Sequence, residues 1–249
     1  MIVAATTASF PDLPLVDVFE RLVDLEFPSV EIAIGDGGPQ VTPAHVLQDL
    51  DWAIAMCRDT HRLGIAAYAV DIAAKGEDHY EQFAACCRLA RATKVACISV
   101  PSGELGTPFN EEVEHLRRLV SIATLESAVV SIRTQIGRLS EDPDTVVVLC
   151  DNVKGLGVSL DPSHFTCEPN AGRNYEKLLK YTYHVQLRDT SKTELQVRVG
   201  QGEIDYGRLL NLLRRTRYDR ALSVDMRPMP TSDHAGEMRK LRLLLESLL

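Results

Sequence analysis

The chain has no C-x-x-C pair, no G-x-G-x-x-G after a strand, no G-x-x-x-x-G-K-S/T loop and no apolar run of bilayer-spanning length. Each absence closes a class. Without the glycine fingerprints there is no sign of a doubly wound dinucleotide fold or of a phosphate-cradling loop. Without roughly 20 consecutive apolar residues no membrane helix is expected. The opening Met1-Ile2-Val3-Ala4-Ala5 is too short for the apolar part of a secretory leader and has no basic lead, so residence in the cytoplasm is expected. Cys57, Cys86, Cys87, Cys97, Cys150 and Cys167 fall mostly inside apolar patterns. They read as reduced, buried thiols rather than a disulfide framework or a zinc site. A basic excess is also missing. Lys and Arg number 27 against 35 Asp and Glu, a net charge of −8, which argues against a nucleic-acid groove or an anionic membrane as partner.

What is there is a repeating pattern. Short apolar runs at 2–6, 30–34, 65–70, 95–100, 129–133, 157–161, 184–188 and 222–226 alternate with longer amphipathic ones. In the second amphipathic run Val46, Leu50, Ala53, Ile54 and Cys57 recur at helical spacing. Thr42 is placed to cap that helix, Pro43 to start it and Gly64 to stop it. Further helices are expected at 80–92, 111–125, 145–150, 175–181, 206–215 and 234–248. Strands that alternate with helices need crossovers and so form a parallel sheet. At 249 residues the simplest closed form is an eight-stranded (β/α)8 barrel, one domain over 1–249.

Side chains alternate along strands, so the inward set can be read off. It comprises Ser131 and Arg133 on strand five, Ser159 and Asp161 on strand six, His184, Gln186 and Arg188 on strand seven, and Ser223, Asp225 and Arg227 on strand eight. Polar groups stacked inside a barrel are costly unless paired or functional. Two uses stay open: a satisfied polar plug in which Arg133 bridges Asp161 and Asp225, or a site. Leu160-Asp161-Pro162-Ser163-His164-Phe165 sits where a strand gives way to a loop, the edge at which barrels carry chemistry. An Asp there can hold a metal, orient a sugar hydroxyl or take a proton; capping a helix is the plainer alternative.

These segments resemble the sugar phosphate isomerase/epimerase group of xylose isomerase-like TIM barrels. The likeness is carried by Val30-Glu31-Ile32, Leu160-Asp161-Pro162-Ser163-His164, Tyr183-His184-Val185-Gln186-Leu187-Arg188-Asp189, Val199-Gly200-Gln201-Gly202-Glu203-Ile204-Asp205-Tyr206 and Leu222-Ser223-Val224-Asp225. The resemblance implies one divalent cation (Mn²⁺, Mg²⁺ or Zn²⁺) held from strands five to eight. Those positions here are Arg133, Asp161, Gln186 and Asp225, and only Asp161 keeps the family residue. A guanidinium repels a divalent ion, so the ordinary site is not expected. A shifted metal set of Asp161, His164, His184 and Asp225 is the alternative.

The resemblance implies an isomerase, epimerase or lyase acting on a small keto sugar, polyol or sugar acid. Asp225, Asp161 and Arg133 are its expected catalytic groups, Arg133 supplying the positive charge in place of the metal. Glu31, His164, Gln186, His184, Arg198 and Glu104 are expected to bind substrate. The glycines of Gly200-Gln201-Gly202 read as a turn rather than a phosphate cradle. A non-catalytic relative that binds a carbohydrate or a protein partner is the other reading. An abasic-site nuclease of this group would need more His and acidic ligands and a basic surface. Relatives form homodimers and tetramers, and homo-oligomerisation is an expectation on that ground alone.

Overall fold

In a computed structural model describing residues 1–249, eight parallel strands pair in chain order and the eighth returns to the first. They are β1 Ile2–Thr6, β2 Ser29–Gly35, β3 Gly64–Asp71, β4 Cys97–Pro101, β5 Val129–Arg133, β6 Leu156–Leu160, β7 Thr182–Leu187 and β8 Ala221–Val224. Around them lie α1 Leu15–Asp24, α2 Pro43–Gln48, α3 Leu50–Arg58, α4 Glu77–Thr93, α5 Phe109–Leu125 and α6 Pro143–Asn152. The ring continues with the single turn α7 Ser163–Thr166, then α8 Tyr206–Arg215 and α9 His234–Leu248. This is the closed (β/α)8 barrel expected from the alternating pattern.

Strands covered on both faces need apolar side chains all along, and β4 and β6 are buried almost throughout. Phe19, Phe83, Leu116 and Ile132, all fully buried, fill the layer between strands and helices. Helix starts follow capping chemistry. Thr42 accepts the His45 amide of α2 at 3.2 Å, and Asp142, Asp205 and Asp233 cap α6, α8 and α9.

Three local expectations shift. The helix expected from Pro43 onward is two helices, because Asp49 leaves helical geometry and caps α3 through the Trp52 amide at 2.9 Å. Gly64 opens β3 instead of closing that helix. Residues 176–181 wind as a 3-10 segment instead of an α-helix, with Leu178 and Leu179 buried. No helix is long and apolar enough to cross a membrane.

One irregularity aims the site. Between Val158 and Ser159 the β6–β7 register jumps, pairing Val158 with Thr182 and Ser159 with His184, so Tyr183 is an extra residue on β7. A one-residue slip reverses which side chains face inward. The bulge therefore sets the face on which His184, Gln186 and Arg188 fall. Gly157 makes it sterically feasible, since a Cβ there would overlap the Tyr183 ring. Gly157→Ala is expected to destabilise the fold by about 1–3 kcal/mol. In urea unfolding, Tyr183→Ala in the same chain should recover part of that loss; purely additive losses would contradict the contact.

Candidate functional site

Two carboxylates and one guanidinium meet at the C-terminal ends of β6, β7 and β8. Arg188 Nη2 donates to Asp161 Oδ2 at 2.9 Å and to Asp225 Oδ2 at 2.8 Å. All three side chains are almost wholly buried. The backbone fixes each position. Asp161 leaves β6 with its amide donating to Thr134 Oγ1 at 2.8 Å, and the Asp225 amide extends the sheet to the Leu187 carbonyl at 2.9 Å. The other oxygen of Asp161 accepts the amide and hydroxyl of Ser163, so this residue also caps the turn α7. His164 Nε2 stands 3.5 Å from Asp161 Oδ2, and its Nδ1 accepts the Ile136 amide at 3.2 Å. Burial lowers the His164 pKa, with Asp161 pulling it back up only in part.

Charge balance decides the protonation states. Burial opposes ionisation of Asp225, but Arg188, Arg227 and Arg133 outweigh it and hold the carboxyl below the usual carboxylate range. Burial likewise opposes charge on Arg188, and Asp225 and Asp161 more than restore it. Two atoms remain buried without a hydrogen-bond partner: Arg188 Nε and Asp225 Oδ1, the latter 3.9 Å from Arg227 Nε. A donor and an acceptor are thus left free beside a fixed cation.

A second polar layer spans the barrel. Glu31 on β2 takes the His184 Nε2–H on Oε2 at 2.8 Å and the Gln186 amide on Oε1 at 2.7 Å. Both carboxylate oxygens of Glu31 are therefore used by β7. Arg133, at the end of β5, does not bridge Asp161 and Asp225 as the plug reading expected. Its Nη2 reaches Asp71 of β3 at 3.2 Å, and its Nε is buried and unpartnered. A cavity of about 250 Å³ opens above these layers, lined by Thr6, Asp71, Arg133, Gln186, Asp225 and Arg227. Arg198 and Glu104 lie outside that lining, and Glu104 lines a neighbouring cavity instead. Arg198 is exposed and ties its loop to the Thr231 carbonyl at 3.0 Å, while Glu104 is exposed in the loop after β4. The amides of Gly200 and Gly202 both donate to Asp189 Oδ2, at 2.7 and 3.1 Å. Those N–H groups fold the loop around Asp189 and are not free for a phosphate.

Residues 19–247 match the xylose isomerase-like TIM barrel family. The chain belongs to that family. Comparison with curated proteins gives no significant match. Solved structures share the whole fold at low identity. The E. coli 3-keto-D-glucoside 4-epimerase is 15% identical with a TM-score of 0.76, over 99% of each chain. The probable 3-DHS dehydratase of petrobactin synthesis from Bacillus anthracis gives the same figures. A D-allulose 3-epimerase from Methylomonas sp., in complex with D-allulose, is 10% identical with a TM-score of 0.78, covering 100% of this chain and 97% of that one.

For a xylose isomerase-like barrel, the donor set is the informative departure. The residues present do not fit a divalent cation. Arg188 occupies the space between Asp161 and Asp225, Gln186 and His184 are committed to Glu31, and Arg133 brings a second positive charge. The shifted set fails for the same reason, and no three His, Cys, Asp or Glu side chains converge in metal-binding geometry.

Arg188 is the site residue that the sequence-derived set lacks. Alternation on strand seven puts it on the inward face beside His184 and Gln186, but its partners depend on β6 and β8 flanking β7 in the closed barrel. Removing it strands two buried carboxylates. Arg188→Met is expected to cost about 3–5 kcal/mol of stability, measured by urea unfolding at neutral pH. A loss under about 1 kcal/mol, the range of an exposed pair, would contradict the assignment.

Proposed function

We propose that this barrel is an isomerase-, epimerase- or lyase-type enzyme acting on a small keto sugar, polyol or sugar acid at the β6–β8 rim. Its fixed positive charge is Arg188 rather than a metal. The observation that carries this reading is the Asp161–Arg188–Asp225 cluster, with one guanidinium N–H and one carboxylate oxygen left free. Family membership and the epimerase and dehydratase neighbours support sugar chemistry.

Epimerisation and dehydration of a carbonyl compound can both begin with loss of a proton from the carbon beside the carbonyl. In this site the C–H proton passes to Asp225 Oδ1. The electron pair of that bond moves into a new C–C double bond, and negative charge collects on the former carbonyl oxygen. Arg188 donates to that oxygen, a fixed donor aimed at developing charge in a buried setting. Asp225 is a weak base while Arg188 pairs with it; as the guanidinium turns toward the oxyanion, the carboxylate gains proton affinity. Asp161, held by Ser163 and Thr134, keeps Arg188 in place. Epimerisation then needs a second acid to return a proton to the other face of that carbon. Arg133 and Gln186 line the cavity and bind substrate oxygens. The six unpaired, buried cysteines are consistent with a reducing compartment, the cytoplasm.

A specific observation also favours the non-catalytic reading: Glu31, Asp161 and Arg188 are all internally paired, as in a plug. An activity and thermal-shift screen against ketoses, inososes and aldonates, with Mn²⁺ or with EDTA, separates the two. Turnover of one class, insensitive to both additions and reduced about 10²–10⁴-fold by Asp225→Asn, is the expected result. Thermal shifts that depend on Arg133 without turnover would favour the binding protein. No shift and no turnover with any class would overturn the sugar reading.

A further inference from the structure

A second cavity, of about 310 Å³, lies beside the barrel mouth between the segments that follow β3 and β4. The rim chemistry uses none of its polar groups. Asp71 lines both this chamber and the barrel-mouth cavity, and its pair with Arg133, which lines the barrel mouth, belongs to the partition between them. That partition is soft. The Asp71 side chain is 59% exposed and the ion pair is a single contact at 3.2 Å, an arrangement worth at most about 1 kcal/mol.

The chamber is built, not merely left over. Glu112 of α5 is 2% exposed, and its Oε1 accepts the Gly103 amide at 2.9 Å. Its Oε2 has no protein donor, and a Cβ on Gly103 would come within 2.8 Å of it, so the glycine lets the carboxylate lie against the loop. His79 engages the Ala74 carbonyl through Nδ1 at 3.2 Å, and His115 engages the Tyr80 hydroxyl through Nδ1 at 3.0 Å. Each ring keeps Nε2 without a protein partner, and the ring centroids are 5.1 Å apart. Burial, with His79 and Arg118 nearby, lowers the His115 pKa to about 4, so that ring is neutral at pH 7. Arg138 adds a guanidinium, anchored to the Ser102 carbonyl at 2.7 Å. Phe83, Leu119 and Val100 form the apolar wall.

Free hydrogen-bonding nitrogens, a carboxylate oxygen and a guanidinium set against an apolar wall suit a hydroxylated ring. Its hydroxyls both donate and accept, and its C–H face packs on hydrocarbon. Each cavity taken singly lies near or below the lower end of the range for small-molecule sites, about 300 Å³. Two joined cavities accommodate two rings.

We propose that the chamber is a second sugar-ring subsite, and that the substrate is a glycoside or other two-ring carbohydrate. Its reacting ring sits at the barrel mouth and its second ring lies against Glu112, His79 and His115. This rests on the sugar reading of the barrel mouth. The second ring passes over the Asp71–Arg133 pair and competes for the donors of Arg133.

The test uses matched probes: D-glucose against cellobiose and maltose, D-galactose against lactose, and D-fructose against sucrose. Affinities are measured by isothermal titration calorimetry on the intact protein. At least one disaccharide should bind about tenfold more tightly than either of its constituent monosaccharides, the gain of one net hydrogen bond. Glu112→Gln and, independently, Leu119→Trp should abolish that gain and leave monosaccharide affinity unchanged. Two variants are used because an enlarged side chain in α5 can impair folding, which the near-isosteric glutamine does not. If monosaccharides bind and the second ring adds nothing, or if the gain survives both variants, the subsite falls and the barrel-mouth reading stands. If no sugar of either size binds, the subsite falls, and the barrel-mouth reading is decided by the ketose, inosose and aldonate screen.

Discussion

Asp161 and Asp225 sit at the ends of β6 and β8 with the guanidinium of Arg188 between them, and much of the site depends on that single nitrogen. Two carboxylates buried this closely cannot both stay ionised without a cation. Arg188 supplies it from the intervening strand, which only a closed barrel with β7 between β6 and β8 allows. The bulge at Tyr183 and the bare Gly157 beneath it serve the same end, because they put Arg188 on the inward face. A local steric detail at the lower end of β6 and β7 thereby bears on the electrostatics at the barrel mouth.

The polar interior is layered, and the layers differ in what they leave over. The Glu31–His184–Gln186 layer uses both oxygens of its carboxylate within the protein, which makes it a floor. The Asp161–Arg188–Asp225 layer leaves Arg188 Nε and Asp225 Oδ1 buried and without a hydrogen-bond partner. A buried donor or acceptor without a partner costs about 1–3 kcal/mol, and a ligand that satisfies both recovers it. The upper layer is therefore where binding free energy is available, next to a carboxylate and a fixed positive charge.

The fold was legible in the sequence because its signals are local and repeated. Short apolar runs alternating with amphipathic ones recur around the barrel, so an error at one element, such as the stop expected at Gly64, does not change the closure. Helix division at Asp49 was hidden, since Val46, Leu50 and Ala53 keep a helical spacing across the break. Inward residues on strands five to eight were legible for the same reason as the strands themselves. Their partners were not. Alternation says which face a side chain takes but not how far it reaches, and three arginines, Arg133, Arg188 and Arg227, were all on the inward face. Only the closed geometry distinguishes them: Arg188 lies between the two carboxylates, while Arg133 turns toward Asp71. Arg198 and Glu104 belong to loops with no periodicity, so nothing in the sequence fixed their distance from the barrel mouth.

The assignment of the central positive charge to Arg188 is tested most directly by metal binding. Metal analysis of the purified protein, followed by titration with Mn²⁺ monitored by electron paramagnetic resonance, reports whether Asp161 and Asp225 are open to a cation. The expected result is no retained divalent metal and no saturable Mn²⁺ site, because the guanidinium already stands between the two carboxylates and pairs with both. One tightly held ion per chain, lost on Asp161→Asn or Asp225→Asn, would contradict it.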